Sequence, residues 1–252
     1  MAEVKPRAGK KQNRKGSASR VKNRPAVKPS EKANKKGESA GVLQQIARRL
    51  DSKGAFGEAT GSVSIRIPGG DEFQYMESKT RSRNGVRKEK LNYEQESVKD
   101  LHSRIYHRRP DVGAIMIGHP TWAMALGELG LSMPGVFDEQ ARQLGRSIRS
   151  VPESSGDSDQ DGIFKELSDG SNVVILSDSV LVCGVTAEKL VFNAELLEKC
   201  ARAYLLAHLT GKKIRKVPFY VRIIAHKRML KDAKRSAESY ARGEIPGGFT
   251  AY

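Results

Sequence analysis

The chain has 252 residues, with 45 Lys and Arg against 29 Asp and Glu, a formal net charge of +16 with the histidines neutral. That length admits one or two domains, and 38% hydrophobic residues can build a packed core, while a mean hydropathy of −0.54 leaves part of the chain in water. Two cysteines, Cys183 and Cys200, exclude a disulfide framework and a thiolate zinc cage. No stretch approaches the roughly 18 apolar residues of a spanning helix, and no apolar run follows the N-terminal charges as a secretory signal would require. We expect no membrane association and an intracellular setting, cytoplasmic or, in a eukaryote, nuclear.

The charge sits at the ends. Residues 1–40 carry 13 basic and three acidic residues and contain no Leu, Ile, Phe, Tyr or Trp, so this basic tail is expected to be disordered. Residues 212–252, a basic helical extension, carry 11 basic against three acidic, which leaves residues 41–211 close to neutral, 21 against 23. Cationic ends on a near-neutral domain point to a polyanion as partner, because Lys and Arg displace condensed counterions from phosphates. The candidate contacts are Lys10, Lys11, Arg14, Lys15, Arg20, Lys22, Arg24, Lys35 and Lys36 in the tail and Lys212, Lys213, Arg215 and Lys216 in the extension. With no aromatic residue before Phe56, the tail offers phosphate contact and no base stacking.

Between the ends, Val42, Ile46 and Leu50, with Leu43 and Ala47, predict an amphipathic helix over 41–53. The alternation of Val63, Ile65 and Ile67 against Ser62, Ser64 and Arg66 predicts a half-buried strand, turned by Pro68-Gly69-Gly70 toward a second strand near Phe73–Met76. A helix over about 94–108 leads through Arg109-Pro110-Asp111 into the apolar run VGAIMIG, a buried strand, and Pro120 opens a helix through Gly127. Residues 133–145 are ambiguous, and 153–162 read as an acidic loop. Residues 173–176 and 180–183 read as strands joined by Ser177-Asp178-Ser179. Leu190, Ala194, Leu197, Ala201, Tyr204 and His208 mark one face of a helix from Thr186 to about Leu209, and a last helix covers about Val221–Arg242.

Taken together, GSVSIRI, HSRIYHRRPDVGAIMIGHP, FDEQARQLG and VVILSDSVLVCGVTAEKL resemble the class II aldolase and adducin family over residues 42 to about 208. Leu101 to Pro120, with His102, Tyr106 and the Arg109-Pro110-Asp111 turn, is the most specific part. The resemblance implies a single α/β domain with a mixed, mostly antiparallel central sheet covered by helices, and a homo-oligomer, commonly a tetramer. It also implies zinc or another divalent metal held by a His-x-His pair and an Asn-His-Gly turn, with a carboxylate as acid/base group. Those positions read here Ile117-Gly118-His119, Ser177-Asp178-Ser179 and Val98, and the phosphate-cradling Gly-Asn and Thr-Pro-Ser-Gly read Gly61-Ser62 and Met76-Glu77-Ser78-Lys79. What remains is a vestigial pocket of His119, Asp178, His102 and Ser97, with Asp138 or Glu139 as conceivable extra ligands.

The expectation is therefore a non-catalytic domain of this family with no cofactor, serving as a scaffold for nucleic acid or another polyanion. The alternatives are a divergent metal-dependent aldolase or epimerase acting on a phosphorylated sugar, and a protein-interaction module resembling the adducin head.

Overall fold

The computed structural model describes residues 29–78, 86–90, 98–151 and 158–247. Its centre is a six-stranded sheet in the order β3-β2-β1-β4-β8-β7, built from β1 (Ser62–Arg66), β2 (Glu72–Glu77), β3 (Arg87–Lys90), β4 (Ala114–Gly118), β7 (Val173–Ile175) and β8 (Val180–Gly184). Every pairing within it is antiparallel. The parallel component expected of a mixed sheet is confined to one bridge between Ser150 and Ile175. A small antiparallel pair, β5 (Met133–Pro134) with β6 (Ser147–Ile148), frames α4 (Asp138–Gln143) and resolves the ambiguous stretch.

Both faces of the sheet are covered. On one side Val63, Met116, Val180 and Val182 meet α1 (Pro29–Ser52), α3 (Thr121–Glu128) and α6 (Ala187–Leu209). On the other side Phe73, Ile115, Ile117, Leu181 and Cys183 pack on Ile105 and Tyr106 of α2 (Val98–Arg108) and on Ile163, Phe164 and Leu167 of α5 (Ser158–Leu167). This three-layer arrangement corrects the half-buried strand expected at β1: Ser62 and Ser64 are as enclosed as Val63, because α2 supplies hydrogen-bond partners that make burial of a hydroxyl tolerable. Cys183 and Cys200 are free and buried.

Two boundaries differ from the expected ones. Helix α1 opens at Pro29 rather than Gly41, and residues 1–28 of the expected disordered tail lie outside the described residues. Proline suits a first helical position, the Glu, Lys and Ala that follow are good helix formers, and the turns holding buried Leu43, Ile46 and Leu50 provide a nucleus from which the helix extends. The expected acidic loop 153–162 contains the start of α5 at Ser158; residues 152–157 lie outside the described residues. Helix α2 is described from Val98, and residues 94–97 of the expected helix lie outside the described residues.

Helix α7 (Phe219–Ala241) is not a detached extension. It lies on α4, where Asp232 pairs with Arg142. Ser236 Oγ donates to the Asp111 carbonyl (2.7 Å) and Tyr240 Oη to that of Val185 (3.0 Å). The last of these explains a glycine. A Cβ at Gly113 would stand 1.8 Å from Tyr240 Oη and 2.5 Å from the Val185 carbonyl oxygen. Among the described residues no helix is long and apolar enough to cross a membrane.

Candidate functional site

The residues singled out by the sequence lie around one end of the sheet. Strand β4 runs out at Gly118, paired with Val180 at the start of β8, so His119 and the turn Ser177-Asp178-Ser179 emerge side by side. The turn is closed by Leu176 N–H donating to the Ser179 carbonyl (2.8 Å), and Asp178, which is exposed, accepts from Ser179 Oγ (2.9 Å). From the far side the end of α1 folds against the same point. The His119 amide donates to the Ala55 carbonyl (2.9 Å), and Phe56 is buried against Gly61 and Gly118. Any Cβ at Gly118 would meet the Ala55 carbonyl oxygen at 2.3 Å. His119 is half-buried, and its Nδ1 is enclosed without a hydrogen-bond partner among the described residues.

His102 does not join this group. It is wholly buried beneath β1, where its Nε2 pairs with Ser62 Oγ (2.9 Å) and its Nδ1 with Ser64 Oγ (2.7 Å), which in turn pairs with Tyr106 Oη (2.8 Å). Both ring nitrogens are taken. Burial holds the imidazole pKa down at about 3, so the ring is neutral, donating from one nitrogen and accepting at the other. Arg66, at the end of β1, donates to the carbonyls of Val112 (2.8 Å) and Arg109 (3.1 Å), and its guanidinium lies over the Tyr106 ring, 4.8 Å from the centroid. Burial pushes the Tyr106 hydroxyl well above its ordinary range. This network fastens α2 to the sheet.

A catalytic divalent ion of the kind the resemblance implies needs about three protein ligands and an open position. Ile117 has no donor atom and faces the α2/α5 core. Asp138 accepts from the Glu139 amide (2.9 Å), and Glu139 stands 3.6 Å from Lys199 Nζ. Among the described residues no three His, Cys, Asp or Glu side chains come together, so those present do not fit such an ion. The expected phosphate cradle is likewise satisfied internally, since the Gly61 amide donates to Ser78 Oγ (2.9 Å). Val98 is on α2, while Ser97 and Lys79 lie outside the described residues.

Of the cationic candidates, Lys212, Lys213, Arg215 and Lys216 are exposed in the connection between α6 and α7. Lys35 and Lys36 fall on α1, and Lys10 through Arg24 lie outside the described residues. Two features went unnoticed in the sequence. Glu198 on α6 accepts from the Trp122 and Ala123 amides (3.2 and 2.9 Å) and so caps α3 beside His119; burial raises its pKa and these two bonds oppose the rise. An acidic residue off the apolar stripe of a long helix was the available signal. The other is an exposed aromatic pair, Phe219 and Tyr220, signalled by their position inside a basic run.

Comparison with known proteins fits this architecture. Residues 42–205 match the family described as Class II Aldolase and Adducin N-terminal domain. The chain is 29% identical over 116 residues to a 5-deoxy-D-ribulose 1-phosphate aldolase from Bacillus thuringiensis serovar kurstaki, an alignment covering 45% of this chain and 54% of that protein; it thus spans about half the length of that relative. Among solved structures, an L-fuculose 1-phosphate aldolase superposes with a TM-score of 0.67 at 17% identity, covering 77% of this chain and 96% of the other. The L-fuculose 1-phosphate aldolase from Glaciozyma antarctica gives 0.63 at 16% identity, covering 87% and 94%. These likenesses concern the fold. With the family match spanning most of the chain, from α1 to α6, this protein belongs to the class II aldolase and adducin family.

Proposed function

We propose that the protein is a non-catalytic member of its family, a homo-oligomeric intracellular scaffold that holds nucleic acid or another polyanion through its basic ends. The observation that carries this reading is the charge on the folded surface. From Lys199 to Lys231 the chain has ten basic residues and no acidic one, and Lys212, Lys213, Arg215 and Lys216 all reach solvent there. Such a surface binds phosphates by counterion release without regard to sequence. The tail residues Lys10, Lys11, Arg14, Lys15, Arg20, Lys22 and Arg24 add to it, and repetition in an oligomer raises the effective concentration of weak contacts. The donor set around His119 supports the absence of aldol chemistry.

The test is a fluorescence titration of the whole protein and of a form lacking residues 1–28 against unrelated labelled duplexes at two salt concentrations. Affinity is expected to fall steeply with salt and the truncated form to show a shallower slope. Salt-independent binding, or none at low salt, refutes the reading. A second reading, a divergent aldolase or epimerase for a phosphorylated sugar, is favoured by the family itself and by the activity named for the curated relative. Retention of about one divalent ion per subunit, with retro-aldol turnover that disappears in His119→Ala, would establish it instead.

A further inference from the structure

The first turn of α7 presents two aromatic rings to solvent in the middle of the basic surface. Phe219 is 68% and Tyr220 67% exposed, which is unusual for large rings that burial would stabilise. They follow the cationic connection directly. That connection is pinned at both ends, with Ile214 packed against the core and the Val217 amide donating to the Gly135 carbonyl (2.9 Å), so its four cations are held outward on a fixed loop.

Along α7 the buried residues Ala225, His226, Met229, Ser236 and Tyr240 define the inner face, and helical periodicity places Tyr220, Lys227, Lys231 and Lys234 on the opposite one. Ile224, also exposed, lies one turn beyond Tyr220. The next acidic residue, Asp232, is engaged by Arg142 and Arg235 and does not neutralise the row. The Arg222 guanidinium is 5.9 Å from the Phe219 ring centroid.

Resting on the polyanion reading above, we infer that this face is a binding site for single-stranded nucleic acid, in which unpaired bases stack on Tyr220 and Phe219 while the connection and the lysine row hold the phosphates. Rings interleaved with cations are the combination that single-strand binding requires, since every base has a π-face and every linkage a charge. A duplex keeps its base faces stacked inside and offers these rings nothing. Pairing of the face with its copy in a second subunit is disfavoured, because a two-fold contact would set the same cations against one another.

The experiment uses the full chain, a labelled oligo(dT), an abasic strand of equal length and charge, and the corresponding duplex. Oligo(dT) should bind about tenfold more tightly than the abasic strand, and Tyr220→Ala combined with Phe219→Ala should abolish that preference. Tyr220→Trp should retain the preference, and its emission, taken as the difference from wild type with its single Trp122, should be quenched by oligo(dT) and not by the abasic strand. Replacing Lys212, Lys213, Arg215 and Lys216 with Gln should weaken all three ligands together. Equal affinity for oligo(dT) and the abasic strand, or a preference that survives Tyr220→Ala combined with Phe219→Ala, overturns the stacking site and leaves the polyanion reading standing. Failure to bind any strand at low salt overturns the polyanion reading itself. Dissociation of an oligomer in Tyr220→Ala, seen by light scattering, assigns the face to a protein contact and also overturns the proposal.

Discussion

The assignment of His102 to the sheet's internal bonding rather than to a metal predicts a specific failure on its removal. In His102→Ala, Ser62 Oγ and Ser64 Oγ each lose the imidazole, while Ser62 keeps its side-chain bond to Tyr75 and Ser64 keeps Tyr106 Oη. Two lost hydrogen bonds and the void of an imidazole sum to about 3–5 kcal/mol, a large share of the stability of an ordinary domain. The pH dependence is more diagnostic. An unfolded histidine titrates near pH 6.5, whereas His102 in the fold titrates at about 3, so between those values the unfolded chain binds the extra proton. Stability from this residue is full above about pH 6.5 and declines on acidification by about 1.4 kcal/mol per pH unit until the folded value is reached. Urea unfolding followed by far-ultraviolet circular dichroism at pH values from about 5 to about 8 measures it, with His102→Asn as the neutral reference, because other titrating groups are common to both proteins. If His102→Asn keeps the wild-type slope below about pH 6.5, or His102→Ala costs less than about 0.5 kcal/mol, the buried network is wrong and a ligand role for His102 is restored.

Gly113→Ala should lower stability by about 2–4 kcal/mol and loosen α7, because the new methyl group meets Tyr240 Oη and the Val185 carbonyl; proteolysis near the C-terminus would report it, and a variant as stable as wild type would show that α7 does not dock there. Arg109→Lys should cost about 2–4 kcal/mol in chemical denaturation, since its fork grips both Asp111 oxygens (2.8 and 2.7 Å), the Ser171 carbonyl (2.8 Å) and Asn172 Oδ1 (3.1 Å), a geometry that an ammonium cannot reproduce. No retro-aldol turnover on ketose 1-phosphates is expected with added zinc, manganese or cobalt, and turnover that His119→Ala removes would reverse the functional reading.

The parts of the fold legible in the sequence were those with strong periodicity or strong punctuation. The Pro68-Gly69-Gly70 turn fixed the β1–β2 hairpin, paired in the structure from Ser62 with Glu77 to Arg66 with Phe73. Thr186 caps α6 by accepting from the Lys189 amide (3.2 Å), and five of the six residues on its expected stripe are buried. The sixth, His208, is exposed and stacks on Tyr204 at 6.0 Å. Strand β3, with the sequence RKEK, carries no apolar alternation and is a strand because β2 offers an unpaired edge. The second layer was also hidden, since Ser62 and Ser64 look solvent-facing until a histidine some 40 residues away is known to lie over them.

Under the proposed non-catalytic reading, the same sheet end holds together through packing and hydrogen bonds of its own. Ser62 pairs across β1 and β4 with Ile117, so the serine bound to His102 and the isoleucine standing at a ligand position are neighbours. Isoleucine there extends the α2/α5 core and leaves no coordinating group to satisfy, while the hydroxyls turn a neutral histidine inward, where it is bonded at both nitrogens. Charge, by contrast, has accumulated where packing does not constrain it, on the α6–α7 connection and the outer face of α7. Under the proposed reading, substitutions on that surface alter affinity for a polyanion with little cost to the core, whereas a metal site of the kind the resemblance implies would need a donor at Ile117 and a histidine at Asp178.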